Sequence, residues 1–146
     1  MNNFATINES YILGKIDRSN IEHVWSEVEP WLLQAIEDDG LFGINTIRQQ
    51  LKTESFQLWV CISRDINGIV AALVSKLTRY TADDIFLELI LMGGTEFSAY
   101  GRDAMEFINL WAKGQGATRS RILCRPGFVK FLDDFEKKHV VLQKRL

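Results

Sequence analysis

Residues 85–92 (IFLELILM) constrain the fold more than any other part of the chain. Apolar residues occupy both parities of the run, with Glu88 the one interruption. A strand points alternate side chains to opposite faces, so apolar groups at both parities need cover on both sides. A strand covered on both faces is therefore predicted.

The preceding sequence supplies the neighbouring strands. Residues 56–63 (FQLWVCIS) and 69–77 (IVAALVSKL) read as strands. Between them Asn67-Gly68 is a strong short hairpin signal. Gly93-Gly94 is expected to stop the third strand.

Helical spacing flanks this core. Ile21, Val24, Trp25, Val28, Trp31, Leu32, Ala35 and Ile36 fall on one helical stripe. Ser19 and Glu22 have the spacing of a capping box. Pro30 predicts a kink or a split, and Gly40 the end. A short second helix follows, with Ile44, Ile47 and Leu51 apolar and Thr46 and Gln49 as a cap. Residues 96–113 return to helical period through Phe97, Tyr100, Ala104, Phe107, Ile108 and Trp111. Gly101 inside that helix costs about 1 kcal/mol against Ala, so close packing or a ligand is expected there. Gly114 and Gly116 close the helix. Residues 120–124 read as a strand, 126–138 as a helix with Phe128, Phe131, Leu132 and Phe135 inward, and 140–146 as a last strand. The predicted order is α-α-β-β-β-α-β-α-β, an α+β fold. Residues 1–18 form a lead-in, either a short strand or irregular.

Composition fits one globular domain: 146 residues, 47% hydrophobic and 25% charged. No apolar run reaches the roughly 18 residues of a membrane span. Residues 1–10 lack a basic start and an apolar core, so a cytoplasmic location without secretion is expected. Cys61 and Cys124 lie in apolar strand-like runs and read as buried hydrophobes. His23 and His139 have no ligand-spaced partners, and no metal is expected. From Lys113 to Leu146 there are nine Lys or Arg against three Asp or Glu. That asymmetry could steer an anion or a charged partner, or simply be solvated. The net charge of −2 argues against nucleic acid.

This order of elements resembles the GCN5-related N-acetyltransferase (GNAT) superfamily, over about residues 20–146. Three short runs resemble a narrower group. They are Leu91-Met92-Gly93-Gly94, then Trp111-Ala112-Lys113 before Gly116, and Ile122-Leu123-Cys124-Arg125-Pro126-Gly127-Phe128. These look like short GNAT-fold proteins of tailed bacteriophages, several of them virion-associated or internal virion proteins. The resemblance implies a mostly antiparallel mixed sheet with helices on both faces. Acetyl-CoA would lie where strands 85–92 and 120–124 splay apart. Backbone around Leu91, Met92 and Gly93 would pair with the pantetheine amides. The pyrophosphate would sit at the start of the next helix.

The chain departs from the family pattern. The usual R/Q-x-x-G-x-G/A cradle is missing, and Gly93-Gly94-Thr95-Glu96-Phe97-Ser98-Ala99-Tyr100-Gly101 stands in its place. Glu96 would repel phosphates. Gly93 and Gly94 read either as a substitute nest of amides or as a tight turn. Family members often use a strand Glu as base, which would be Glu88. Buried and unpaired, its pKa would rise; facing outward, it would pair with Lys or Arg. The Tyr that commonly protonates the thiolate is absent from the final helix, since Tyr occurs only at 11, 80 and 100. Arg125 could meet a phosphate or a partner carboxylate. Phe128 could cover a ligand or face the sheet.

Two readings follow. In one, the chain is a phage virion-associated or interaction component with a degenerate acetyl-CoA site. It would pair with phage structural proteins or itself, in the host cytoplasm and the virion, away from membranes. In the other, it is an active N-acyltransferase moving acetyl from acetyl-CoA to an amine.

Overall fold

The computed structural model describes residues 3–39, 43–124, 126–140 and 142–146. Strands β1 (Asn3–Thr6) and β2 (Tyr11–Ile16) form an N-terminal hairpin. Its turn is set by Asn8, whose Oδ1 accepts the N–H groups of Ser10 and Tyr11 at 3.1 Å each. Helices α1 (Ile21–Asp39) and α2 (Ile44–Lys52) follow. Next come β3 (Gln57–Ser63), β4 (Gly68–Arg79) and β5 (Ile85–Gly94). Helix α3 (Phe97–Gly114) and β6 (Arg119–Ile122) complete the regular elements.

The six strands form one sheet in chain order. Neighbours pair antiparallel through β5, and β6 pairs with β5 in parallel. Apolar residues of β2 to β5 divide between two cores. One holds Leu13, Trp59, Leu73, Leu87 and Leu89 with Tyr100, Ala104 and Ile108 of α3. The other holds Leu58, Val60, Val74 and Leu91 with Trp25, Val28 and Leu32 of α1 and Ile47 and Leu51 of α2. The two-faced pattern of β5 thus has its predicted cover, and the α+β class stands.

Several local expectations are corrected. The N-terminal lead-in is a hairpin of two strands. The capping box does not form. Asp17 accepts the Ser19 N–H at 3.1 Å instead, and Glu22 faces Arg48 and Lys52 of α2. Pro30 does not split α1. It lies on the exposed side, where water can meet the Ser26 carbonyl left without a donor. The N-cap of α2 is Gly43, so Thr46 and Gln49 lie within the helix. Gly40 lies outside the described residues. β5 runs through Gly93-Gly94 rather than stopping before them.

The C-terminal expectations fail more broadly. Pro126–Phe131 form a 3-10 helix, and no longer helix continues to residue 138. No strand occurs at 140–146 among the described residues, where Val140 and Leu142 are 69% and 90% exposed. The alternation there has no sheet face to bury against, and periodicity without burial does not make a strand.

Candidate functional site

The notch expected between the third and fourth predicted strands is present. Parallel pairing starts at Phe86↔Arg119 and ends at Leu89↔Ile122. Beyond it β5 continues to Gly94 with β4 on one side and no strand on the other among the described residues. A β-bulge marks the same point. Val74 pairs with Leu91 and Ser75 with Leu89, so Ile90 is the extra residue. The bulge switches the parity of the strand. Leu89 faces the α3 core, whereas Ile90 and Leu91 both face the α1 core.

That switch decides where the predicted backbone site lies. Leu91 is buried in the α1-side core. Gly93 lies under α1, where an added Cβ would fall 1.8 Å from the Trp31 carbonyl oxygen. At Gly94 it would fall 2.5 Å from the Val70 carbonyl oxygen. Both glycines thus serve close packing of backbone on backbone. Met92 faces the other way, into the mouth of the notch.

The mouth is filled. Met92, Phe97, Gly101, Met105, Ile122, Phe128, Phe131 and Leu132 enclose a cavity of about 20 Å³. That is room for about one water molecule. Phe128 packs edge-on to Phe97 at 5.1 Å between centroids and to Phe131 at 6.2 Å. Gly101 is not tightly packed; the nearest atom to an added Cβ is the Phe97 Cβ at 3.8 Å. Arg125 lies outside the described residues.

The start of α3 carries acid where an anion site would need donors. Glu96 is the N-cap, in the left-handed region at φ 61°. Its Oε2 accepts from the Tyr11 hydroxyl at 3.3 Å. Burial, and then the Glu96 charge, push the Tyr11 pKa up. About two turns further, Asp103 accepts from the Asn8 amide at 3.0 Å. The Glu96 carboxylate beside the helix N-terminus would oppose a pyrophosphate there.

Glu88 lies on the sheet face opposite Leu87 and Leu89. Its carboxylate takes a hydrogen bond from the Tyr80 hydroxyl at 3.0 Å and an ion pair from Arg121 at 2.6 Å. Arg121 also donates to the Tyr80 oxygen and stacks over the Tyr80 and Phe86 rings at 5.1 and 5.2 Å. Burial raises the Glu88 pKa, but hydrogen bonds from Thr78, Arg121 and Tyr80 outweigh it, and the net shift is downward. The condition for a raised pKa, burial without a partner, is not met. Glu88 is a firmly ionised anchor, and a weak base by the matching rule for proton transfer.

Sequence reasoning missed Tyr80 and Arg121. The hairpin pairing of β4 with β5 brings Tyr80 back over Glu88, which strand lengths could have indicated. Arg121 meets Glu88 through parallel register (Glu88↔Arg121), and no local pattern encodes that. Cys61 is buried, and burial pushes its thiol up to about 12, as suits a core hydrophobe. None of the described helices is long and apolar enough to cross a membrane.

No family model and no curated protein matches the sequence. Solved structures do. An aminoglycoside acetyltransferase from an uncultured soil metagenomic sample, solved with sisomicin, superposes with a TM-score of 0.67 at 15% identity, covering 97% of this chain and 99% of that one. A GNAT family acetyltransferase of Staphylococcus aureus gives 0.60 at 15% identity, over 94% of this chain and 100% of that one. An aminoglycoside N-acetyltransferase solved with CoA gives 0.61 at 10% identity, over 97% and 99%. The chain therefore has the fold of the GNAT acetyltransferases. At these identities the likeness carries the fold and nothing finer.

Proposed function

We propose that this chain is a GNAT-fold protein that has given up acetyl-CoA turnover and acts as a binding or structural component. One observation carries the reading: the mouth of the notch is packed with Phe97, Phe128 and Phe131 and keeps about 20 Å³. A pantetheine arm cannot enter without expelling those rings. Glu96 at the start of α3, and the missing phosphate motif, point the same way. The short runs that resemble tailed-phage virion proteins support a place among virion-associated components, with other phage structural proteins or a second copy as partners. Titration calorimetry with acetyl-CoA tests the loss of turnover. No heat at millimolar ligand is expected, and micromolar binding would overturn it. Mass spectrometry of purified particles tests the virion role; stoichiometric copies are expected, and presence only in infected-cell lysate would count against it.

A second reading is an acyl-CoA-dependent N-acyltransferase. It is favoured by the unpaired β5 edge past Leu89, which leaves strand backbone available to a ligand once the aromatic rings move. If CoA were bound, the Met92 and Gly93 backbone would orient it. Glu88, kept ionised by Thr78, Arg121 and Tyr80, would hold an incoming ammonium by charge. Here Phe128→Ala, which opens the mouth, should raise acetyl-CoA affinity.

A further inference from the structure

A second, larger cavity lies at the opposite end of the sheet from the notch. It is an open cleft of about 250 Å³ between the end of β2, the start of β3 and the end of α3. That is close to the lower bound of roughly 300 Å³ for ligand pockets. Its polar groups are Lys15, Arg18, Gln57, Gln115 and Glu54, and Trp111 forms part of its wall.

A buried hydrogen-bond chain fixes what Gln57 presents. The Trp59 indole N–H can only donate, and it donates to Ser75 Oγ at 2.9 Å. Ser75 is fully buried, and its own proton goes to Gln57 Oε1 at 2.9 Å. The Gln57 carboxamide oxygen is therefore held inward. Its NH2 group has no protein partner among the described residues and no buried unsatisfied atom is left, so it donates toward the cleft. Lys15 pairs opposite Trp59 across β2 and β3. It is thus a diagonal neighbour of Gln57 on the same face, within reach of a long side chain. The Lys15 ammonium stands 5.8 Å from the Trp111 ring centroid. Among the described residues Arg18 at the rim pairs with Glu54, at 3.8 Å, with both side chains more than half exposed. Such a pair is worth little and yields readily.

We infer that this cleft is a second ligand site, taking a small organic acid whose carboxylate meets Lys15 and the Gln57 amide and whose flat apolar body lies on Trp111. The surplus of oriented donors selects an anion, and the Trp111 wall selects a ring or short hydrocarbon over a bare ion. No residue of the notch takes part, so the site stands or falls apart from the function proposed above.

The test uses the full chain labelled with ¹⁵N and titrated with phenylacetate, with hexanoate, and with phenylacetamide as the uncharged analogue. At least one acid should move the Gln57 side-chain NH2 and Trp111 indole signals saturably, and the amide should not. Lys15→Met should weaken binding about tenfold, as loss of a charge-assisted contact does. Gln57→Glu keeps the acceptor for Ser75 and replaces the donors with charge, so it should abolish binding; an unchanged thermal midpoint shows that the fold survives. Absence of saturable shifts with either acid, equal shifts with the amide, or unaltered binding in Lys15→Met would each overturn the site.

Discussion

Gly93 of β5 lies directly beneath the carbonyl of Trp31 in α1, so close that a Cβ built there would stand 1.8 Å from the Trp31 oxygen. Gly93→Ala must push α1 away and disturb the core of Trp25, Val28 and Leu32. A loss of about 3 kcal/mol or more is expected, at or above the usual cost of overpacking. Gly101→Ala is the contrast, because its nearest neighbour would be 3.8 Å away. It should stabilise by about 0.5–1 kcal/mol through helix propensity. Urea unfolding of both variants decides. A Gly93→Ala protein as stable as the parent would sink the close-packing account.

What the sequence made legible follows burial. The residues at both parities of β5, the Asn67-Gly68 hairpin and the stripes of α1 and α3 are patterns that burial writes locally, and each was readable. The N-terminal hairpin was harder. It rests on a side-chain turn at Asn8 and on pairing with β3, more than forty residues away. The candidate site was read with less success. Gly93-Gly94 looked like loop or phosphate nest, because nothing local records that α1 rests on Gly93. Phe128 and Phe131 were placed inward correctly, but their filling of the notch depends on the tertiary position of a 3-10 turn. Arg121 reached Glu88 through a parallel register that no short-range pattern encodes.

Arg121 is one of three groups that keep Glu88 ionised. The carboxylate is kept ionised by Arg121, Thr78 and Tyr80 against the upward pull of burial. Arg121→Gln removes the ion pair and leaves Thr78 and Tyr80 to oppose burial, so the Glu88 pKa should rise. Because the folded pKa is lowered in the parent, the stability this cluster supplies is present above the unfolded carboxylate range. It is lost as pH falls through the folded pKa. Carboxyl-carbon NMR titration of Glu88 in parent and variant measures the shift. An unchanged or lower value in Arg121→Gln would refute the assignment.

Glu22 ties α1 to α2. It accepts from Arg48 Nε at 3.0 Å and meets Lys52 Nζ at 3.0 Å. Hydrogen bonds from Arg48 and then Lys52 lower its pKa from 4.5 to about 2. The sign is that of a depressed carboxylate. Its stabilisation is complete above pH 4.5 and disappears as pH falls through about 2. The groups are substantially exposed, so the effect is modest and screened by salt. Glu22→Gln should lower the thermal midpoint slightly at neutral pH, less so in high salt. The two melting curves should converge near the acid end of that window. A constant offset at every pH would mean that Gln disturbs packing rather than charge.

Glu54 carries backbone strain at the end of α2. It has φ 64° and follows the C-cap Thr53, the position where helices commonly use Gly in the left-handed region. Its N–H donates to the Leu51 carbonyl at 3.3 Å, which holds the residue in that conformation. For a residue with a Cβ this costs roughly 1–2 kcal/mol, partly regained in the unfolded state when Gly replaces it. Glu54→Gly should therefore stabilise by about 0.5–1 kcal/mol, despite losing the 3.8 Å contact to Arg18. Glu54→Ala removes the same contact without relieving φ, and should not stabilise. Chemical denaturation of the pair separates backbone from charge: equal effects would show that the carboxylate, not the dihedral, governs. The same two variants free Arg18 at the rim of the cleft. Both should therefore tighten phenylacetate binding alike, while only the glycine variant gains stability.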